Sequence, residues 1–218
     1  MMIGPGNFVA ENIEGKTREE AVKEVKRLWR EIRRLRKMLE EESQAEEMMY
    51  HPSPEVRISV YHDYIEAAKA YFKEQGWEYE PSKEEIKDRE FNDRLDQVEK
   101  IEVEYGGFLC GHINLKISFD GDEVKTDRVD MIFPLDPEGL NRTYFEGVVR
   151  EELLDEIREL HMGEWSQNYD DPCVLDGIQW SVEFKYADGK KRIFEGSNKY
   201  PYNFDRFLDV MEIEPIDD

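Results

Sequence analysis

Cysteine and histidine are both scarce. The 218 residues hold two cysteines, Cys110 and Cys173, and four histidines, His51, His62, His112 and His161. Two thiols cannot form a disulfide framework or complete a zinc site alone, and the scattered imidazoles share no metal-ligand spacing. No cofactor or metal is expected on these grounds. Long apolar runs are missing too: none approaches the roughly 18–20 residues of a membrane span. The N-terminus lacks the basic-then-apolar layout of a secretory signal, so the expectation is a cytoplasmic protein that avoids membranes. Also absent are a Walker loop, a dinucleotide fingerprint, a metalloprotease helix and a nucleophile elbow.

Acidic charge is abundant. Lys and Arg number 30 against 52 Asp and Glu, a net charge of −22. Eleven Phe, 11 Tyr and four Trp are too many for a disordered acidic tail. A chain of this length is one large domain or two small ones. The charge is unevenly laid out. Residues 1–50 carry 10 basic and 11 acidic side chains, whereas 51–218 carry 20 and 41. A surface this acidic repels DNA, RNA and anionic lipid at long range, so bulk nucleic-acid binding is not expected.

The first hundred residues read as helical. Thr17 and Glu20 form a capping box, and Ala21, Val25, Leu28, Ile32, Leu35 and Leu39 recur at heptad steps. This predicts a long helix over 17–39, basic on its other face, until the acidic stretch 40–47 ends the pattern as a linker or frayed end. Ser53-Pro54 opens a second helix over about 54–75. Ser82 and Glu85 open a third over about 82–99, on the spacing of Ile86, Phe91, Leu95 and Val98. The period then changes from about four to two. Strands are expected through Ile101–Tyr105, Ile113–Phe119 and Val124–Phe133, with a hairpin at Asp120-Gly121. A Thr143/Glu146 box predicts a helix running to Leu160, and Trp180–Tyr186 turns at Asp188-Gly189 into Ile193–Glu195. Asn203 is expected to cap a short last helix. The fold class expected is α+β, with N-terminal helices (1–99) followed by an antiparallel sheet with helices packed on it (100–218), all in one structural unit.

The runs Val174-Leu175-Asp176-Gly177-Ile178-Gln179-Trp180, Tyr186-Ala187-Asp188-Gly189-Lys190 and Gly196-Ser197-Asn198-Lys199-Tyr200-Pro201-Tyr202-Asn203-Phe204 resemble a pattern in a family of uncharacterised bacterial proteins. Gly15-Lys16-Thr17, His51-Pro52-Ser53, Pro81-Ser82-Lys83 and Gly106-Gly107-Phe108 are similar to the same group. The resemblance implies an origin in bacteria or their mobile elements and assigns no activity. The same residues also have a plain structural use. Asp-Gly and Gly-Ser-Asn suit tight turns, and Trp165 and Trp180 suit a core between sheet and helix.

Four patterns could carry chemistry. Cys110 and His112, two apart on a strand, share a face and could form a thiolate–imidazole pair; a buried thiol beside a surface imidazole is the simpler reading. Asp120, Asp122 and Glu123 lack the framework of a calcium loop and read as an acidic hairpin turn. Asp170-Asp171 read as a solvated loop. Lys23, Arg27, Arg30, Arg34 and Lys37 on the basic helix have three readings: nucleic-acid contact, docking on an acidic partner or second copy, or a solvated face.

The function expected is that of a non-enzymatic acidic interaction protein whose carboxylates, with Asp120, Asp122 and Glu123 among them, meet a basic macromolecular partner. A nucleic-acid mimic that inhibits a bacterial defence enzyme, or an immunity-type inhibitor of a toxin, is the concrete form. One alternative is a small hydrolase or ligand-binding enzyme with His161, Trp165, Asp176, Ser197 and Asn198 in one pocket. The other is a structural homodimer formed through helix 17–39.

Overall fold

The computed structural model describes residues 3–41, 51–107, 111–132, 143–171, 173 and 177–216. They fall into two units, Met1–Pro81 and Ser82–Asp218. The class is α+β, with helices preceding a mostly antiparallel sheet.

In the first unit, helix α1 (Pro5–Asn12) begins with Pro at its first turn and buries Phe8 and Val9. Phe8 stacks on Tyr64 with ring centroids 4.4 Å apart, while the Tyr64 hydroxyl donates to the Ile3 carbonyl at 2.6 Å. Eight residues with two apolar anchors are too few to show as a periodic pattern, and sequence reasoning missed this helix. Helix α2 (Arg18–Glu41) follows the expected box: Thr17 N–H donates to Glu20 Oε2 at 2.9 Å, and Glu20 N–H to Thr17 Oγ1 at 3.4 Å. Its seam, Ala21, Val25, Leu28, Ile32 and Leu35, is buried, as is Trp29. Helix α3 (Pro54–Glu74) starts at Ser53, whose hydroxyl accepts from Val56 N–H, and packs against both α1 and α2. The acidic stretch expected as a linker lies outside the described residues from 42 onward; up to Glu41 it is helical.

The second unit begins with α4 (Lys83–Leu95), where both halves of the Ser82/Glu85 box are present. This helix stops at Leu95, not at 99. Gln97 turns its carbonyl to accept Ala187 N–H at 2.8 Å, and Val98 opens strand β1 (Val98–Gly107). Val98 fits both periods, which is why helical spacing claimed it. Strands β2 (Gly111–Asp120) and β3 (Glu123–Ile132) follow, then helix α5 (Arg150–Glu159), strands β4 (Asn168–Asp170), β5 (Ile178–Tyr186) and β6 (Lys191–Ser197), and helix α6 (Phe204–Val210). The sheet order is β3-β2-β1-β5-β6-β4. Among the described residues only β4, a three-residue strand too short to leave an alternation, pairs in parallel, with β6. Gly121 and Gly189 take positive φ at the two hairpin turns, as Asp-Gly requires.

Two further expectations do not hold, at the starts of α5 and α6. The helix expected from Thr143 begins only at Arg150: Phe145 and Gly147 have positive φ, which no helix tolerates. Glu212 accepts the Phe145 N–H at 2.9 Å and fixes that turn. The box that does form is half of one, with Glu152 accepting from Val149 N–H, since valine has no hydroxyl to reciprocate. Asn203 does not cap α6 with its side chain. Its amide instead accepts from Trp165 Nε1 at 2.9 Å and donates to the Leu160 carbonyl at 2.8 Å. Trp165, 2% exposed, meets Phe194, Phe207 and Trp180 edge-on at 5.4, 5.6 and 6.3 Å, so that amide satisfies the one polar atom of a ring buried among aromatics.

Candidate functional site

Charge separates first by unit. Residues 82–218 hold 17 basic and 35 acidic side chains, and residues 1–81 hold 13 and 17. Within the second unit it separates again by surface. Strand register puts Lys100, Lys116, Lys125, Lys185 and Lys191 on the open face of the sheet with Glu102, Glu104, Asp127, Glu183 and Glu195, and the same face also carries Asp120 and Glu123 at the β2–β3 turn and Asp170 on β4. Many of these pair across strands. Lys185 bridges Glu102 at 2.6 Å and Glu183 at 3.2 Å, and Lys191 meets Glu183 at 2.9 Å. Hydrogen bonds from Lys100 and then Lys185 pull the Glu102 carboxyl from 4.5 down to about 2. Burial pushes Glu183 up, but its bonds to Lys191 and Lys185 win and leave it lowered. The middle of the face, around Glu102 and Glu183, is a paired lattice.

The surface around α5 is different. Leu153, Leu154 and Ile157 are buried, and the outward positions Glu151, Glu152, Asp155, Glu156 and Glu159 are acidic and exposed. The two arginines of this helix hold structure. Arg150 donates to the Asp96 and Val98 carbonyls at 2.7 and 3.2 Å, and Arg158 bridges Asp96, Asp155 and Glu151. The β2–β3 turn adjoins the start of α5: Arg150 N–H donates to the Asp122 carbonyl at 2.9 Å, and Glu123 pairs with Val149. The carboxylates expected at Asp120, Asp122 and Glu123 thus continue the acidic surface of α5. Lys125 offsets part of this charge by pairing with Asp120 and Glu123, and its hydrogen bond to Asp120 lowers that carboxyl. Side chains of Asp120, Glu123, Glu151, Asp155 and Glu159 are still 62–73% exposed. Arg206 of α6 reaches Glu159 at 2.7 Å, and Asp205 and Asp209 stand exposed on the same helix. Carboxylates of α5 and α6 were legible as composition; that they share a surface with the turn needed the fold.

Lys23, Arg27, Arg30, Arg34 and Lys37 are exposed on α2. Arg27 is held by Glu24 at 2.7 Å, Arg34 by Glu31 at 3.2 Å and Lys37 by Glu41 at 3.6 Å. The seam beneath them is buried within the single chain, so its apolar area is already removed from water.

The five residues expected in a pocket are placed as follows. Trp165 is a core ring bonded to Asn203. Ser197 ends β6, and its hydroxyl accepts from Asn198 Nδ2 at 3.3 Å. Asn198, with φ +55°, donates its N–H to the Ile178 carbonyl. His161 pairs through Nδ1 with Asp88 Oδ2 at 2.8 Å. Asp176 lies outside the described residues, as does Cys110. His112 is exposed on the open sheet face, opposite Met131. Asp170 accepts from Asn168 Nδ2 at 2.8 Å and Asp171 from Cys173 N–H at 2.9 Å. Asp88 was not expected: a helical aspartate 73 positions from its histidine leaves no signal in spacing.

Among the described residues, no helix is long and apolar enough to cross a membrane. Comparison with known proteins found no matching family model, no matching curated protein and no matching solved structure.

Proposed function

We propose that this chain is a non-enzymatic interaction protein that engages a basic macromolecular partner through the acidic surface formed by α5, the β2–β3 turn and α6. The observation that supports this reading is the asymmetry of the second unit. In the middle of the open sheet face Glu102 and Glu183 are paired with Lys100, Lys185 and Lys191, whereas the carboxylates on and around α5 exceed the cations near them, and the arginines of α5 are engaged in holding backbone and carboxylate groups. An unmatched charge field speeds encounter with an opposite surface and discriminates against anionic ones. In a bacterial setting the partner would be an enzyme or toxin whose own groove is built for nucleic acid, and the acidic surface would occupy that groove.

Capture from host extract at low salt, followed by elution on a salt ramp, identifies the partner. Its association is then measured with wild-type chain and with a variant carrying E151Q, E152Q, D155N, E156Q and E159Q. Loss of association in the variant supports the reading. Equal association, or a partner surface that is not basic, removes it.

A further inference from the structure

The segment after α5 assembles a second group of ionisable side chains within the second unit. His161 precedes a 3₁₀ turn, Met162–Glu164, and takes φ +50°, a left-handed backbone that side chains with a Cβ adopt at a cost. Glu164 N–H donates to the His161 carbonyl at 3.0 Å, and the three-residue period of such a turn brings positions i and i+3 into line. A ring nitrogen of His161 and a carboxylate oxygen of Glu164 lie within 4.8 Å of one another, and Glu164 is 8% exposed.

Helix α4 supplies the other side. Asp88, also 8% exposed, puts Oδ2 2.8 Å from His161 Nδ1 and accepts from Asn92 Nδ2 at 3.2 Å. Its second oxygen, Oδ1, is buried and has no hydrogen-bond partner among the described residues. Gly163 makes the approach possible: a Cβ there would lie 2.3 Å from Asp88 Cα and 2.7 Å from the Lys87 carbonyl. A left-handed histidine, a glycine that nothing larger can replace and a buried aspartate thus converge on one imidazole. Strain of this kind collects where geometry serves a site.

We propose that His161 Nε2 and the Glu164 carboxylate bind a divalent ion of the zinc class, with Asp88 orienting the imidazole. A carboxylate that accepts from Nδ1–H fixes the tautomer with its lone pair on Nε2 and makes that nitrogen a better donor. Imidazole with carboxylate is a ligand set that zinc accepts. Zinc takes four ligands, and the two named here leave two positions to water or further donors. The ion would tie the turn after α5 in place, a role separate from the acidic surface and independent of it.

The test uses the full chain, stripped with chelator and titrated with zinc by calorimetry and with cobalt(II) by visible absorption. Wild-type chain is expected to bind one ion, with a thermal midpoint that rises on zinc addition. E164Q, nearly isosteric, and H161N, chosen because Asn tolerates a left-handed backbone, are expected to lose saturable binding and the zinc-dependent midpoint shift while keeping the wild-type circular dichroism. D88N should weaken binding by about 10–100-fold, and H51A and H112A should leave it unchanged. Wild-type chain that binds no ion, undiminished binding in E164Q and H161N, or an equal loss in H112A would overturn the proposal.

Discussion

Helices α2 and α5 each bury one apolar stripe and turn a charged face outward, but they neutralise that charge differently. On α2, Arg27 and Arg34 are met by glutamates three positions earlier and Lys37 by one four positions later, pairs that fall one helical turn apart. Residues 1–50 hold 10 basic and 11 acidic side chains, so the basic helix lies in an almost balanced segment. On α5 the cations are drawn elsewhere, Arg150 to the carbonyls of Asp96 and Val98 and Arg158 partly to Asp96. The carboxylates left behind are joined by those of the β2–β3 turn. A strong charge field therefore arises where the available cations are committed to holding the chain together, and a high count of charged residues alone does not create one.

The largest effects are expected where the two helices are alike. Leu28→Ala in α2 and Ile157→Ala in α5, at 1% and 0% exposure, should each cost about 2–5 kcal/mol of stability in denaturant unfolding. A much smaller loss at either would show that its stripe is not a packed core. Next comes the contrast between the polar faces. Neutralising the five α5 carboxylates should slow association with a basic partner at low salt by about tenfold or more, while Lys26→Ala with Arg30→Ala on α2 should leave it unchanged. Stability in the α2 variant should stay within about 0.5 kcal/mol of wild type, whereas the α5 variant also gives up the Glu152 contact with Val149 N–H and the carboxylate partners of Arg158 and Arg206 and should lose about 1–2 kcal/mol.

A smaller effect is expected at Trp165. Trp165→Phe keeps an aromatic ring among Phe194, Phe207 and Trp180 but orphans the Asn203 carbonyl, which should cost about 1–3 kcal/mol for that acceptor if water cannot reach it and less if it can; thermal unfolding of the two forms decides. The smallest concerns the open sheet face. The Glu102 carboxyl is held at about 2 when folded, against 4.5 ordinarily, so as pH falls the unfolded chain takes up that proton first. The contribution of Glu102 is full above about pH 4.5 and fades as pH approaches 2. Glu102→Gln should therefore differ from wild type at neutral pH, by about 1 kcal/mol at most for a partly exposed pair, and converge with it in acid. A gap that widens in acid would contradict the pairing.

Local chemistry was legible where each signal had a single meaning. Ser82 with Glu85, Ser53 with Pro54 and the alternation from Trp180 to Tyr186 each indicated the element that forms, and so did the two Asp-Gly turns. Signals with two meanings failed. Val98 satisfied a helical and a strand period, and the carbonyl of Gln97 decided between them by bonding to Ala187. Asn203 looked like a cap, but the buried Trp165 indole needed an acceptor more. Thr143 and Glu146 had the right spacing, yet Phe145 between them is held left-handed by a distant Glu212. Sites were harder still. The acidic charge of the β2–β3 turn was visible, but its union with α5 depends on the Asp122–Arg150 backbone bond. The Asp88–His161 pair depends on a glycine that lets a turn approach a helix. Such contacts are tertiary, and spacing along the chain does not encode them.

The most direct measurement is the rate of association between this chain and its captured partner across a series of salt concentrations, for wild type and for the five-carboxylate variant of α5. Long-range attraction is screened within roughly 10 Å at 0.1 M salt, so the wild-type rate should fall steeply as salt rises and the variant rate should be low and nearly flat. Two curves of equal slope would contradict the claim that the α5 surface makes the encounter.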